Sequence, residues 1–465
     1  MEFKMRALGP IDLIFLTLES RRQPMHVGGL FLFKLPENAP SDFVWQLVQK
    51  IRASTEQPIQ PFNQVLNGYF WDRDHEFDID QHFRHISLPK PGRVRELLTY
   101  VSQEHSALLD RAKPLWECHV IEGIEGDRFA MYMKMHHALT DGVGGMKLVQ
   151  RALSTDPHDE NVTPLWAVKS ARHKKAGITL SKTTQFLNTV AKQIQIAPNV
   201  TREVYTSITH RKNPNYVSVF QAPRSIINQS VSASRRFAAQ SYDLERLRII
   251  AKKLTTYLGD KVTLNDIILA ICSGAIRAYL SNQNALPAKP LVAMVPISLR
   301  QEGDDSGNAI AMILANLATH LNDPLDRLIT IRNSVLNSKD RMARMTPEEM
   351  LNYTGIVFSL AGLNLVTGVA PKVQAFNIVI SNVPGPKETL YWNGAMLDAL
   401  YPVSIVMDGQ ATNITLTSYR DKLEVGIIAC RKTLPSIQSL LGLLEYEIVI
   451  LERLTADIRL NEEVV

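Results

Sequence analysis

Arg128 to Val149 reads RFAMYMKMHHALTDGVGGMKLV, and the reading of the whole chain turns on it. Phe129 to Met135 is apolar on both faces except at Lys134, the pattern of a central strand covered on both sides. Met146, Val149 and Leu153 then recur at helical spacing, so a helix is expected from around Gly145. His136 to Gly142 lie between, where a strand hands over to a helix, and such loops often carry chemistry. Similar alternation runs outward from this stretch. Leu291 to Val295 and Phe376 to Ile380 read as strands, and Arg235 to Tyr242 as a strand feeding a helical pattern at Leu244, Leu247 and Ile250. The class is α/β or α+β, which periodicity alone does not separate.

The chain has 465 residues, 45% of them hydrophobic. At ~100–200 residues per domain that makes two or three domains with room for a pocket between them. Cys118, Cys272 and Cys430 are odd in number and far apart, which excludes a disulfide scaffold and a zinc ribbon and suits a reducing compartment. Leu351 to Pro371 is free of charge and long enough to span a bilayer, but Asn352, Thr354, Ser359, Asn364, Thr367 and three glycines interrupt it. Ile11 to Leu18 is apolar but short, carries Asp12 and lacks a cleavage pattern, so it is not a signal peptide. A cytoplasmic protein, soluble or peripheral, is the expectation.

The net charge of +5 hides an asymmetry. Asn161 to Tyr242 holds 12 Lys and Arg, Arg235 and Arg236 among them, against one acid, Glu203; the remainder is net acidic. This stretch is either a solvated linker or a surface for anionic phospholipid or a phosphorylated substrate. Nucleic acid is not expected, since no zinc finger, RNA-binding or helix-turn-helix signature accompanies the charge. The division is an N-terminal domain over 1–155, a basic connector over 156–225 and a C-terminal domain over 226–465.

The chemistry is concentrated at His136, His137, Asp141 and the glycines that follow. Neighbouring side chains diverge, so one imidazole faces a pocket while the other packs behind. With an unperturbed pKa of ~6.5, an imidazole can accept a proton and return it near neutral pH. Asp141 either orients the loop or caps the next helix. HHxxxD lacks the i, i+4 histidine pair of a zincin helix, and His75, Asp78, Asp80, His82 and His85 match no zinc spacing, so no metal is expected. Thr263-Leu264-Asn265-Asp266 before an apolar run is a capping-box relative. It explains Asp266 and leaves Asn265 as either a cap or a donor into a cleft. No GxSxG elbow is present, and Cys118 sits in an apparent strand from Glu117 to Ile121.

HHALTDG matches the HHxxxDG motif of the CoA-dependent acyltransferase superfamily, which includes chloramphenicol acetyltransferases and peptide-synthetase condensation domains. With Gln23 to Gly29 (QPMHVGG), Pro114 to Glu117 (PLWE), Thr263 to Asp266 (TLND), Pro296 to Arg300 (PISLR) and Ser381 to Pro386 (SNVPGP), the chain resembles the bacterial wax ester synthase/diacylglycerol acyltransferases from about residue 6 to the mid-440s. The resemblance implies two chloramphenicol-acetyltransferase-like domains with a tunnel at their interface. It also implies transfer of a long-chain acyl group from acyl-CoA to a fatty alcohol or diacylglycerol, with acyl-CoA as substrate, no cofactor and no acyl-enzyme.

In that family pattern His137 is the general base, His136 stands behind it, and Asp141 pairs with an arginine, for which Arg300 is the candidate. Asn265, Gly142, Ser298, Arg300 and Asn382 are the candidate substrate contacts; Asn382 equally suits a turn. Pro114 to Glu117 is read as a rigid turn with a buried indole. Leu351 to Pro371 is a tunnel wall, a lipid-resting patch or a buried helix. Peripheral association with the inner face of a membrane and with lipid inclusions follows from lipophilic substrates. Two alternatives stand beside this: a condensation-type transferase using carrier-bound substrates, and a non-enzymatic lipid-granule scaffold.

Overall fold

The computed structural model describes residues 5–140, 142–168, 217, 221–298, 310–345, 350 and 374–459. Most of the basic connector, the stretch Leu351 to Pro371, Asp141 and Arg300 lie outside them. The strands are β1 (Arg6–Ala7), β2 (His26–Lys34), β3 (Gln64–Asn67), β4 (Phe70–Arg73), β5 (Phe83–Ser87), β6 (Trp116–Ile124), β7 (Arg128–His136), β8 (Arg235–Asp243), β9 (Val292–Ser298), β10 (Ile310–Asn316), β11 (Ile378–Val383), β12 (Tyr391–Trp392), β13 (Ala395–Val403), β14 (Thr412–Tyr419) and β15 (Lys422–Cys430). The α-helices are α1 (Pro10–Leu18), α2 (Phe43–Arg52), α3 (Val94–Glu104), α4 (Gly142–Ala152), α5 (Leu244–Leu258), α6 (Leu264–Ser281), α7 (Pro324–Ala343) and α8 (Ser439–Leu454).

Two six-stranded sheets organise the chain, in the orders β12-β13-β2-β7-β6-β5 and β10-β9-β11-β14-β15-β8, with a small third sheet β1-β4-β3. In β7, Phe129 to His136 are all buried. Phe129, Met131, Met133 and Met135 pack with Leu47 and Ile51 of α2 and Met146 and Val149 of α4. Ala130 and Tyr132 point the other way, towards Leu97 and Val101 of α3. Cover on both faces removes the advantage of polar residues in this strand, hence its apolar run, broken before the histidines only at Lys134. The following helix begins at Gly142 rather than near Gly145. Its first turn is glycine-rich and carries no apolar mark of helical period.

The second sheet lays one face on α5, α6, α7 and α8 in a single large cluster. α6 is long and apolar enough to cross a membrane, yet most of it is buried as the central core helix. Its start is as expected: Thr263 N and Oγ1 donate to Asp266 Oδ2 at 2.8 and 2.7 Å, and Asp266 N donates back to Thr263 Oγ1 at 3.3 Å. Such a cap contributes about 1 kcal/mol.

The stretch 226–465 does not stay with one sheet. Residues 391–403 cross over as β12 and β13, and β13 pairs antiparallel with β2 from Met396↔Lys34 to Val403↔Gly28. β13 also packs on the second sheet: a Cβ on Gly426 of β15 would lie 1.9 Å from the Pro402 carbonyl oxygen, so only glycine permits that approach. A second junction closes an exposed strand edge. Ser106 and Ser102, four apart on and just after α3, accept from Arg235 N and Phe237 N of the edge strand β8, both at 2.9 Å. Arg235, counted above with the solvated basic stretch, is in fact buried, its guanidinium donating to the Arg22 carbonyl at 2.6 Å.

Candidate active site

The turn after β7 is pinned by the two motifs that flank it. His136 N donates to Leu115 O at 2.9 Å, and His137 N to Met25 O at 2.8 Å. His26 pairs with His136 across the β2–β7 ladder. The runs Gln23 to Gly29, Pro114 to Glu117 and HHALTDG, far apart in sequence, therefore meet at one point. Gln23 ties that point to the other half of the chain, its Oε1 accepting from Asp408 N at 2.7 Å.

The two histidines diverge as expected. His136 is fully buried: its Nδ1 accepts from Ala138 N at 3.1 Å, which leaves the ring proton on Nε2, 3.4 Å from Glu19 Oε1. The Glu19 carboxylate also accepts from Met25 N at 3.2 Å and from Arg111 Nε and Nη2 at 3.0 and 2.9 Å. Burial alone would raise its pKa, but His136, Arg111 and the Met25 amide outweigh that and lower it. Glu19 is thus an anionic post beside the His136 ring that holds the backbone at Met25 and the Arg111 guanidinium. His137 is half-buried and lies against Phe15 of α1, ring centroids 4.1 Å apart and planes at 18°. Of the pair, only His137 is partly exposed.

Neutral rings fill the space behind. His105 donates from Nε2 to Ser404 O and accepts at Nδ1 from Tyr132 Oη, both at 2.8 Å; burial lowers its pKa to about 3. His26 donates from Nε2 to His105 O at 2.9 Å, and burial likewise holds it well below the usual histidine range. Beneath the turn is a small apolar cavity of about 30 Å³, lined by Gly28, Phe31, Met133, Met135, Thr140 and Met146 among others.

Pro114 to Glu117 does more than make a turn. The Trp116 indole is buried and donates to Phe62 O at 2.9 Å, as the sequence implied. Glu117, directly across the ladder from Lys134, accepts from its ammonium at 3.0 Å, with His119 Nε2 at 3.3 Å and Arg84 Nη2 at 3.2 Å. Burial pushes the Glu117 carboxyl up; His119, Lys134 and Arg84 together pull it down to about 2. Glu104, Glu117 and His119 have the separations of a metal set, but Lys134 supplies the positive charge there, also donating to Glu104 O at 3.1 Å. The cluster near His75 disperses: His82 bonds Trp116 O, Asp78 caps a 3₁₀ turn, and Asp80 faces Arg52.

The other candidates fall in three places. Asn265 is half-buried on the first turn of α6. Asn382 is a residue of β11 beside Leu416, not of a turn. The loop behind it is packed so closely that a Cβ on Gly385 would lie 2.0 Å from Ser418 O. Ser298 ends β9 and Gly142 opens α4. The Asp141–Arg300 pairing falls outside the described residues. Sequence reading missed Phe15, Glu19 and Arg111. The available signal was the apolar run Ile11 to Leu18, which carries too few polar residues for a surface helix.

The chain resembles known proteins over nearly its whole length. The family model "Wax ester synthase/diacylglycerol acyltransferase catalytic domain" matches residues 8–268, and "WS/DGAT C-terminal domain" matches 306–452. The chain is 59% identical over 455 residues to O-acyltransferase WSD of Acinetobacter baylyi, covering 97% of this chain and 98% of that one. It is 41% identical over 454 residues to a probable diacyglycerol O-acyltransferase of Mycobacterium tuberculosis, covering 96% and 98%. Among solved structures, the wax ester synthase/diacylglycerol acyltransferase from Marinobacter aquaeolei VT8 matches with a TM-score of 0.79 at 44% identity, over 97% of this chain and 100% of that one. The first condensation domain of the CDA synthetase shares the fold, with a TM-score of 0.55 at 14% identity, over 99% of each.

Proposed function

The chain belongs to the wax ester synthase/diacylglycerol acyltransferase family and is an O-acyltransferase that moves a long-chain acyl group from acyl-CoA to a fatty alcohol or diacylglycerol; from that premise we propose that His137 is its general base. The observation that carries this is the division between the two histidines. His136 is sealed and tied to Glu19, whereas His137 is half-buried on a turn whose amide is pinned to Met25.

The proton of the acceptor hydroxyl passes to the His137 imidazole as the oxygen attacks the thioester carbonyl. The tetrahedral intermediate then collapses, the C–S bond breaks, and the imidazolium returns the proton to the departing CoA thiolate. Asn265 is a candidate donor to the developing oxyanion. No acyl-enzyme is needed. Burial raises the thiols of Cys118 and Cys272; hydrogen bonds with Ser232 and Thr433 outweigh burial and lower that of Cys430 to about 7, but it ends β15, in the other sheet from the strand that leads to His137. Work at a membrane or lipid-inclusion surface, on the cytoplasmic side, is supported by the lipophilic acceptor and the charge of residues 161–242.

The test is CoA release and ester formation from palmitoyl-CoA with and without hexadecanol, in wild type and His137→Ala. Loss of the base is expected to lower ester formation by about 10²–10⁴-fold. A variant retaining more than a tenth of wild-type rate would remove His137 from this role.

A further inference from the structure

α1 sends three faces to three destinations. Asp12 and Leu16, one turn apart, are buried against Trp71, whose indole donates to Asp12 Oδ2 at 3.4 Å. Ile14 is 51% exposed. Phe15 lies flat on the His137 imidazole. Both ends of the helix are held. Gly9 N donates to Asp12 Oδ2 at 3.1 Å, and Arg111 Nη2 donates to Leu16 O at 2.6 Å, a cation at the helix C-terminus. With Glu19 bonded to the same guanidinium, the Phe15 ring is fixed relative to the turn that carries His137.

A base that activates an alcohol activates water equally well. Water in the acceptor's place would pass its proton to His137 and attack the thioester carbonyl; the C–S bond would break and the thiolate would take the proton. The net reaction is acyl-CoA plus water to fatty acid plus CoA. Which reaction dominates depends on what reaches the imidazole. We propose that Phe15 is a positioning residue whose ring covers one face of His137 against water, and so sets the ratio of ester formed to CoA released. This rests on His137 being the base. The stack supplies an apolar cover over a face of the imidazole, not over the edge where the nitrogens are.

The experiment measures CoA release and ester from palmitoyl-CoA and hexadecanol in wild type, Phe15→Ala, Phe15→Leu, Phe15→Tyr and His137→Ala, each checked for folding by circular dichroism. Phe15→Ala is expected to raise CoA released per ester formed by roughly tenfold, equivalent to about 1.4 kcal/mol. Phe15→Leu should fall between, and Phe15→Tyr, which keeps the ring, should match wild type. If Phe15→Ala does not fold, the Leu and Tyr variants carry the comparison. The same ratio in every folded variant, even with lower rates, overturns the cover and reduces Phe15 to packing. His137→Ala separates the two claims: if it keeps both products, the base assignment fails, whatever Phe15 does.

Discussion

Each large sheet buries a glutamate, and the two live in opposite electrostatic worlds. Glu117 on β6 faces Lys134 across the ladder and stays ionised, its pKa pulled down to about 2. Glu424 on β15 is buried more deeply than Glu117, and among the described residues no cation pairs with it. Ser241 donates to one of its oxygens and the other, Oε1, has no partner. Burial dominates there and pushes the carboxyl up to about 7. The same side chain in the same kind of place holds its charge or surrenders it according to its cross-strand neighbour. Lys134 of the charged pair stands two residues before His136, on the strand that leads to the histidines.

The sharpest way to break this comparison is Lys134→Met. It would strand Glu117 as a buried charge, with an expected loss of about 3–5 kcal/mol in denaturant unfolding. A loss below about 1 kcal/mol would mean that His119 and Arg84 suffice. Next in size is Glu424→Gln, whose sign reverses the usual expectation for a carboxylate. The folded pKa lies above the unfolded value near 4.5, so the group's stability is intact below that value and lost as pH rises through about 7. The variant should gain about 3 kcal/mol over wild type at pH 8 and almost nothing at pH 4. Equal gains at both pH values would show that packing, not titration, is responsible.

A third buried glutamate sharpens the contrast by joining charge to catalysis. Glu19→Gln keeps the shape but removes the anion that holds His136 and Arg111. An effect of about 2 kcal/mol, roughly 30-fold, is expected in kcat with a smaller change in KM. A change confined to KM would place Glu19 in substrate binding instead.

What could be read from the chain follows the range of the interactions. The strand Phe129 to His136 and the cap at Thr263 and Asp266 are marked by residues within a few positions of one another. Lys134 stood out as the exception in an apolar strand, but its partner is 17 residues earlier and appears only with the antiparallel register. Glu19 and Arg111 are 92 residues apart. The apolar run Ile11 to Leu18 shows no amphipathic period because α1 serves three surfaces at once. Nothing local in Ala395 to Val403 says that this strand extends β2 rather than the second sheet.

That crossing strand also puts a clock on the protein. His137 hangs by its amide from Met25, just before β2, and the far edge of β2 stays open until β13 has been made. At about 5–20 residues per second, roughly 10 to 50 seconds of synthesis separate the histidines from Val403. Throughout that interval a ribosome-bound chain carries its base on a sheet that still has one edge unpaired.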